Sequence, residues 1–370
     1  MKVRVVQFFG ALTLTLSRFA GEGIGRYGRA TICALLLSVL CVIPFVSIAA
    51  ELRSVTVLSY PDRPAKLPLW LAQDAGLFKK YRLNVEIKIP DSGEAIVEGA
   101  RKNTADIYVA TANWMVSAVG DGADLVFFAN TGYSVLKLVA RPTIGSVGEL
   151  KGKRIGTGEP GSSQDRITRE TLRRLGFNAD KDVTLVPFGS RSVLRLNALL
   201  KGEIDATTSN EDNLFELEKR GESDKVRVLA DNESLKLFIG AGVDFAVTRS
   251  FLSSSRSAVK GFVQALSEAI ALARRDRAAA NGIYTRHLKV TDPALLDFMY
   301  RTYVQQAIPE RPFPKLDNVA LGIQEFAAKP GLKNKSAETL TDSTLVRELE
   351  QEGFFAQLYR QSPEHGVRGE

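Results

Sequence analysis

Cysteine and histidine are scarce in this 370-residue sequence, which has two of each. Cys33 and Cys41 both fall in the first 50 residues, so the rest of the chain has no thiol for a disulfide, a nucleophile or a metal ligand. The histidines, His287 and His365, are far apart and form no His-Glu-x-x-His motif. A zinc site is therefore excluded, and a Ser–His–Asp triad could use only His287, for which a surface position is the simpler interpretation. We predict no enzyme activity, no metal and no cofactor.

The body of the chain also lacks a strong charge of one sign. The formal net charge is +7, but residues 1–50 hold five Lys or Arg and one Glu and so account for +4. No Lys/Arg run or basic–aromatic pattern occurs after residue 50, and we expect no nucleic-acid partner. With 45% hydrophobic and 25% charged residues, the composition is that of a globular protein long enough for two lobes with separate cores.

Charge is missing altogether from residues 31–50, which come after Arg26 and Arg29 and end in Val-Ser-Ile-Ala-Ala. This pattern is typical of a secretory signal peptide cleaved after Ala49 or Ala50. The alternative is an uncleaved membrane anchor, because the apolar stretch is near the minimum that spans a bilayer. We expect export to the periplasm, an oxidising compartment that suits a mature chain without cysteine.

Strand and helix patterns alternate after Glu51, which predicts an α/β fold. The segments Lys102–Asp106 and Lys201–Asp205 each follow a helix pattern and lead into a strand that ends in small polar residues. They are too far apart for a solenoid, and two similarly built lobes explain them better than chance. We predict a signal peptide at 1–50 and a discontinuous first lobe at 55–142 and 240–360. The second lobe is predicted at 145–231 and a tail at 361–370.

Residues 156–161 read Gly-x-Gly-x-x-Gly between a strand and a helix, as in dinucleotide-binding proteins. Glu159 would place a carboxylate near the pyrophosphate and Pro160 removes a backbone donor, so we reject that interpretation. Ser162 instead has the spacing to cap a helix with Asp165. Free N–H groups at such a helix start attract polar or anionic ligand groups, although a purely structural cap is an equal alternative.

Several short motifs occur in a fixed order along the chain: Pro-x-Trp-x-Ala and Gly-x-Phe within 68–78, Leu-Lys-Gly-Lys-Arg-Ile-Gly at 150–156 and Lys-Asp-Val at 181–183. In these motifs the chain resembles the solute-binding proteins of ABC importers for nitrate, sulfonates, taurine and thiamine precursors, the NMT1/THI5-like family. The sequence departs from the family pattern at Arg82, where glycine is usual, and at 210–213, where proline is frequent. The resemblance implies a two-lobe periplasmic binding protein of type II, acting as a monomer, that delivers a solute to an ABC permease with its ATPase.

The implied solute is a sulfonate, a nitrate-like anion, a pyrimidine or an amine, held between the lobes. A binding module for a sensor and an enzyme on the same scaffold are the alternatives. Ligands of open α/β sheets bind beyond the carboxyl ends of the strands. The first-lobe candidates are Ser59, Tyr60, Leu67, Ser92, Gly93, Thr111, Ala112 and Asn113. The second-lobe candidates are Thr157, Ser162, Ser163, Gln164, Arg191, Asn210 and Glu211.

Each candidate taken alone could be a solvated turn or a helix cap, and Arg191 could equally be a solvated helix start. Glu211 and its neighbour Asp212 indicate a ligand with a hydrogen-bond donor or an amine, which does not suit a purely anionic sulfonate or nitrate. We expect Trp70 and Trp114 to lie in the core rather than stack on a ligand.

Overall fold

The computed structural model describes residues 51–60, 63–90, 93–133, 135–160, 162–188, 192–231, 234–235 and 242–360. The predicted signal peptide, its cleavage site and the predicted tail lie outside these residues. Within the described ranges, no helix has the length and apolar character needed to cross a membrane.

The strands of the described chain form two five-stranded sheets. In chain order the strands are β1 (Arg53–Ser59), β2 (Leu83–Lys88), β3 (Ile107–Ala110), β4 (Leu125–Tyr133), β5 (Leu136–Ala140), β6 (Arg154–Thr157), β7 (Thr184–Pro187), β8 (Ala206–Asn210), β9 (Arg227–Asp231) and β10 (Gly242–Thr248). The first sheet has the order β2-β1-β3-β10-β4 and the second the order β7-β6-β8-β5-β9. We call the parts built on them the first and second lobes.

Both sheets share one plan. In the first, β1 pairs in parallel with β2 and β3, and β10 runs antiparallel to β3 and β4. In the second, β6 pairs in parallel with β7 and β8, and β5 runs antiparallel to β8 and β9. The chain crosses between the sheets after β4 and returns before β10, so the predicted α/β fold with two similar lobes is confirmed.

The boundary between the sheets differs from the expected position. We placed the end of the first segment at Pro142, but β5 hydrogen-bonds in the second sheet, so the chain changes sheet between Tyr133 and Leu136. An apolar strand pattern carries no information about which sheet the strand joins, because pairing is decided by contacts remote in sequence. The other predicted limits of the lobes remain predictions.

Helices cover the sheets. They are α1 (Leu67–Asp74), α2 (Leu77–Lys80), α3 (Gly93–Lys102), α4 (Ala112–Gly120), α5 (Ser163–Arg174), α6 (Ser192–Leu200), α7 (Glu211–Lys219), α8 (Arg249–Ser254), α9 (Arg256–Arg275), α10 (Arg277–Leu288), α11 (Pro293–Met299), α12 (Leu316–Glu325), α13 (Thr344–Gln351) and α14 (Phe354–Arg360). Short 3₁₀ turns occupy Pro64–Lys66, Val147–Leu150, Ser223–Lys225 and Pro330–Leu332, and a π-helix spans Tyr300–Ala307.

The two lobes have cores of different size. In the first lobe, Phe262 on α9 is fully buried and packs against Phe78, Phe128 and Phe245. Trp70 on α1 belongs to the same core, as expected, and Trp114 packs at its edge. The buried apolar clusters of the second lobe are smaller. The C-terminal helices therefore complete the first lobe, and the second lobe rests on fewer apolar contacts.

Two left-handed residues shape the turn between α1 and β2. Gly76 has a φ of +68° at the start of α2, as the sequence predicts for a glycine at a helix end. Arg82 has a φ of +64° just before β2, at the position where the family usually has glycine. A side chain in this conformation costs about 1 kcal/mol, so the departure from the family pattern has an energetic consequence.

Candidate functional site

Contacts between helices of the described chain join the two lobes. On one side, Arg166 of α5 forms an ion pair with Glu325 of α12, Nε to Oε1 at 2.5 Å, and its guanidinium lies 5.7 Å from the centre of the Phe326 ring. On the other side, Phe215 of α7 stacks on Phe298 of α11 with ring centres 4.5 Å apart. The residues between these contacts are those that a solute held by both lobes would meet.

Lys219 of α7 and Asp292 add an ion pair beside the stacked phenylalanines. Because α7 begins where β8 ends, this packing holds the first turn of α7 along the boundary between the lobes. That first turn carries Glu211 and Asp212, so the second lobe presents two carboxylates there.

The first lobe contributes the start of α4. Thr111 and Asn113 are both 3% exposed, and the Thr111 hydroxyl donates to the Asn113 side-chain oxygen at 2.5 Å. The Asn113 side chain also hydrogen-bonds to Glu325, whose pKa is raised by burial although Arg166 and this hydrogen bond oppose the rise. These two predicted residues thus lie at the contact between the lobes.

Asp244 of β10 holds the start of α4 in place. It is 2% exposed and accepts hydrogen bonds from the Asn130 side chain at 2.8 Å and from the Ala112 N–H at 3.0 Å. Burial raises its pKa to about 6 despite these donors. Asp244 was not among the residues predicted from the sequence, although a lone carboxylate inside an apolar strand is a visible signal.

Three tyrosines of the first lobe are buried in its core: Tyr60, Tyr284 and Tyr303. Tyr60 comes directly after β1, and the guanidinium of Arg63 lies 4.9 Å from the centre of its ring. The buried Lys66 ammonium donates to the Tyr60 carbonyl at 2.8 Å. Tyr60 was a sequence candidate, whereas Tyr284 and Tyr303 come from C-terminal helices in which no motif marks them.

Electrostatic interactions connect the tyrosines with the second lobe. Burial raises the pKa of Tyr303, and Asp212, Tyr284 and Glu211 raise it further while Arg63 lowers it. Burial also raises the pKa of Tyr284, whose hydroxyl has no hydrogen-bond partner in the described part of the chain. The charges of the two α7 carboxylates therefore act on the Tyr303 hydroxyl from the other lobe.

The carboxylates at the start of α7 differ in their partners. Glu211 forms an ion pair with Lys137 at 2.8 Å, and its Oε2 atom is buried without a hydrogen-bond partner from the described residues. Asp212 has no ion-pair partner within the same residues. Asn210 precedes them as the N-cap but makes no side-chain capping bond. Of the two carboxylates, Glu211 is therefore the one with an ion-pair partner among the described residues.

The glycine-rich loop uses its side chains within the second lobe. The Ser162 hydroxyl accepts from the Asp165 N–H at 3.2 Å, which is the predicted helix cap. Thr157 donates to Asp165 at 3.3 Å, and Gln164 accepts from Arg195 at 3.1 Å. Burial lowers the pKa of Arg195, a residue not predicted from the sequence, to about 10. These candidates hold the second lobe together, and their contact with a ligand stays a prediction.

The remaining candidates divide into three groups. Ser59 and Leu67 are fully buried, and the Ser59 hydroxyl donates to the Tyr60 carbonyl at 3.3 Å. Gly93 and Ser163 each begin a helix, but the exposure of Gly93 and the side chain of Ser163 are outside the described part of the structure. The residues that lie wholly outside it are Ser92 and Arg191.

Clusters of metal-ligating side chains and the contacts of His287 bear on other kinds of site. No group of three or more His, Cys, Asp or Glu side chains of the described chain is placed to hold a metal ion. His287 stacks on Trp70 with ring centres 4.9 Å apart, and its Nε2 atom lies 3.2 Å from the Asp74 carboxylate. His287 therefore packs against two residues of α1 in the first lobe.

Two mixed sheets joined by two crossings, with polar residues of both lobes at their boundary, define a two-lobe periplasmic binding-protein fold. The chain belongs to the NMT1/THI5-like family, whose model matches residues 63–280. The predicted family and fold are confirmed. No curated protein matches the sequence.

Solved structures share the fold at low sequence identity. A sulfonate ABC transporter periplasmic protein from Methylobacillus flagellatus has a TM-score of 0.63 and 17% identity, covering 82% of this chain and 97% of its own. The alkanesulfonate-binding protein of Xanthomonas axonopodis pv. citri, bound to MOPS, has a TM-score of 0.57 and 20% identity, covering 80% and 100%. The periplasmic nitrate-binding protein of Synechocystis PCC 6803 has a TM-score of 0.58 and 14% identity, covering 86% and 93%.

Proposed function

We propose that this protein is the extracytoplasmic solute-binding component of an ABC importer. It captures a small polar organic molecule or anion between its two lobes and delivers it to a membrane permease with an ATPase. The observation that carries this proposal is that buried polar groups of both lobes lie at the lobe boundary. Asn113 of the first lobe lies beside the ion pair of Arg166 with Glu325, and Glu211 Oε2 of the second lobe is a buried acceptor without a hydrogen-bond partner among the described residues. An unpartnered buried acceptor costs about 1–3 kcal/mol, and a solute that contacts both lobes would offset this cost.

The same atoms suggest how binding and release are coupled. Asn113 belongs to the first lobe and Glu211 to the second, so a solute that bonds to both favours the form in which the lobes touch. Separation of the lobes about the two crossings would release it. The protein performs no covalent chemistry in this proposal and acts as a monomer.

Family membership and the named structural neighbours support a role in transport. Proteins described as binding sulfonates and nitrate share the fold, and we extend the solute range of this chain to sulfonates, nitrate-like anions, pyrimidines and amines. Export with cleavage after Ala49 or Ala50 belongs to the same proposal, and N-terminal sequencing of the protein recovered from a periplasmic extract tests it.

The binding role is tested on protein purified under non-denaturing conditions. We expect native mass spectrometry to detect an intact small molecule, and one solute class in a thermal-shift screen to raise the Tm. A solute at 100 times its Kd stabilises the folded state by about 2.7 kcal/mol. Asn113→Ala should weaken that response, whereas Lys88→Ala, an exposed substitution on β2, should leave it unchanged. A protein that retains no small molecule and responds to no class, or that converts the molecule it holds, contradicts the proposal.

A further inference from the structure

The two strands that cross between the lobes meet the first sheet side by side. On β4 and β10, Asn130 pairs with Asp244 and Tyr133 pairs with Gly242, with a bulge between the two pairs. Beyond Tyr133 the chain enters β5 of the second sheet, and β10 begins at Gly242 after the chain has left β9 of that sheet. These neighbouring residues of β4 and β10 are therefore the fixed ends about which the crossings turn.

Each crossing passes through a glycine that has no space for a side chain. Gly132 has a φ of +126°, and an added Cβ would lie 2.6 Å from the Ala307 carbonyl oxygen. A Cβ added at Gly242 would lie 2.5 Å from Oδ2 of Asp244 and 2.7 Å from Nδ2 of Asn318. Both strands are thus closely enclosed where they meet the first lobe, and Asp244 is part of that enclosure.

A series of three buried hydrogen bonds runs through Asp244. The Gly132 N–H donates to Oδ1 of Asn130 at 2.9 Å, and Nδ2 of Asn130 donates to Oδ1 of Asp244 at 2.8 Å. The other carboxylate oxygen, Oδ2, accepts from the Ala112 N–H at 3.0 Å. Asn130 and Asp244 are both buried. A satisfied buried polar network fixes one arrangement of the elements that it joins, which here are both crossing strands and the start of α4.

Helix α4 extends this arrangement to the lobe boundary. Asn113 follows Ala112 directly, and its side chain hydrogen-bonds to Glu325. Glu325 in turn forms the ion pair with Arg166 of the second lobe. Helix α12 packs closely on the same place, because a Cβ added at Gly322 would lie 3.2 Å from the Asn113 Cα. The hydrogen bond to the Ala112 N–H therefore fixes Asn113 relative to both crossings.

From these bonds we infer that Asp244 is a positioning residue for solute binding. It acts through the Ala112 N–H and fastens the start of α4 to both crossing strands, so that Asn113 keeps its place relative to them as the lobes move. The inference rests on the proposed function and adds a residue that acts without touching the solute. Loss of the connection would loosen Asn113 and the ends of the crossings together. The form in which the lobes touch would then be less populated, and binding would weaken.

The direction of each donor makes this connection testable. Asp244→Asn leaves a single acceptor oxygen, and if it accepts from the Ala112 N–H, the new amide nitrogen faces Nδ2 of Asn130, donor against donor. Rotating the Asn130 amide moves the same conflict to the Gly132 N–H. In the double variant Asn130→Asp with Asp244→Asn, the carboxylate at position 130 accepts from the Gly132 N–H and from the amide at position 244. The amide oxygen at position 244 still accepts from the Ala112 N–H, so all three bonds are restored.

Hydrogen exchange followed by mass spectrometry tests the connection on the mature protein without any solute. We expect Asp244→Asn to speed the exchange of peptides that contain Gly132 and Ala112 by about tenfold, and the double variant to return them close to the wild-type rate. The matched control is Val259→Ala, which shortens a buried side chain of α9 in the same core. It should change these two peptides no more than the others.

Two further measurements connect the bonds with solute binding. Isothermal titration uses MOPS, sodium nitrate, cytosine and 1,4-diaminobutane, one probe for each proposed solute class. Single-molecule fluorescence uses dyes on Lys88→Cys and Lys225→Cys, exposed positions of the two lobes, and reports the distance between them. We expect Asp244→Asn to bind the probe that the wild type recognises at least about fivefold more weakly and to hold its lobes together for less of the time. The double variant should regain both properties.

A second single variant keeps the test decisive if Asp244→Asn does not fold. Asn130→Ala removes the link without changing Asp244 and should show the same losses. Unchanged exchange in the single variants, or a double variant that regains neither slow exchange nor binding, overturns the inference and leaves the proposed function standing. An equal loss of binding in Val259→Ala does the same, because stability alone would then explain the effect. A wild type that retains no small molecule and binds none of the four probes overturns both.

Discussion

The buried carboxyl group of Asp244 makes stability depend on pH in an unusual direction. Its pKa is raised to about 6 in the folded protein from the 3.8 of an ordinary aspartate. The folded state therefore binds a proton more tightly than the unfolded state does. The contribution of this group is fully present below about pH 3.8 and is lost as the pH rises through about 6. At about 1.36 kcal/mol per pKa unit, the change amounts to about 3 kcal/mol.

Asp244→Asn tests this, because asparagine has the shape of the acid but does not ionise. Urea unfolding monitored by circular dichroism between pH 3.5 and 7.5 gives the free energy of unfolding of both proteins. We expect the stability of the wild type relative to the variant to fall by about 3 kcal/mol across this range, most of it between pH 4 and 6. The difference between two proteins cancels the titration of the other carboxylates.

The matched control is Glu86→Gln, which neutralises an exposed carboxylate on β2 and should give a profile parallel to that of the wild type. A wild type that gains stability over Asp244→Asn as the pH rises would refute the reasoning. It would mean that the hydrogen bonds from Asn130 and the Ala112 N–H stabilise the ionised carboxylate by more than burial disfavours it.

Two substitutions test the backbone and the packing of single residues. Arg82→Gly should raise the free energy of unfolding by about 0.5–1 kcal/mol in urea denaturation, because glycine adopts a positive φ without steric cost. The control is Arg82→Ala, and an equal gain in that variant would refute the explanation. Gly156→Ala should lower the free energy of unfolding by about 1–3 kcal/mol, because the added Cβ would collide with the Ile204 side chain in the second lobe. Gly148→Ala, where nothing lies within 4 Å of the added atom, should be close to neutral, and similar losses in both variants would count against the packing argument.

Much of the fold could be predicted from the sequence, because the patterns that indicate helices and strands extend over only a few neighbouring residues. The strand patterns at residues 55–59 and 105–110 alternate with helix patterns, and they correspond to β1 and β3. The two similar βα units predicted two lobes built alike. The place of β5 was not predictable, since its five residues fit either sheet and only long-range pairing with β8 and β9 decides between them. Signals within a few residues predict elements, whereas the pairing of distant elements needs the folded chain.

The part of the candidate site that follows the ends of strands could be predicted from the sequence. Asn113 and Glu211 lie just after β3 and β8, and the carboxyl ends of parallel strands mark where ligands bind. Tyr284 and Tyr303 were missed because they lie on C-terminal helices whose burial depends on packing against the first lobe. Asp244 was missed because one polar residue scarcely changes the apolar character of β10.

The π-helix at Tyr300–Ala307 makes the length of the chain a determinant of the site. Each of its turns contains about one residue more than an α-helical turn, and it carries Tyr303. Loss of one residue would return the segment to α-helical geometry and rotate the residues on its C-terminal side by about 100°. Insertions and deletions in this segment can therefore move Tyr303 away from the carboxylates of α7 without any substitution among the residues at the lobe boundary. Changes in chain length alone thus give relatives of this protein a route to new solutes.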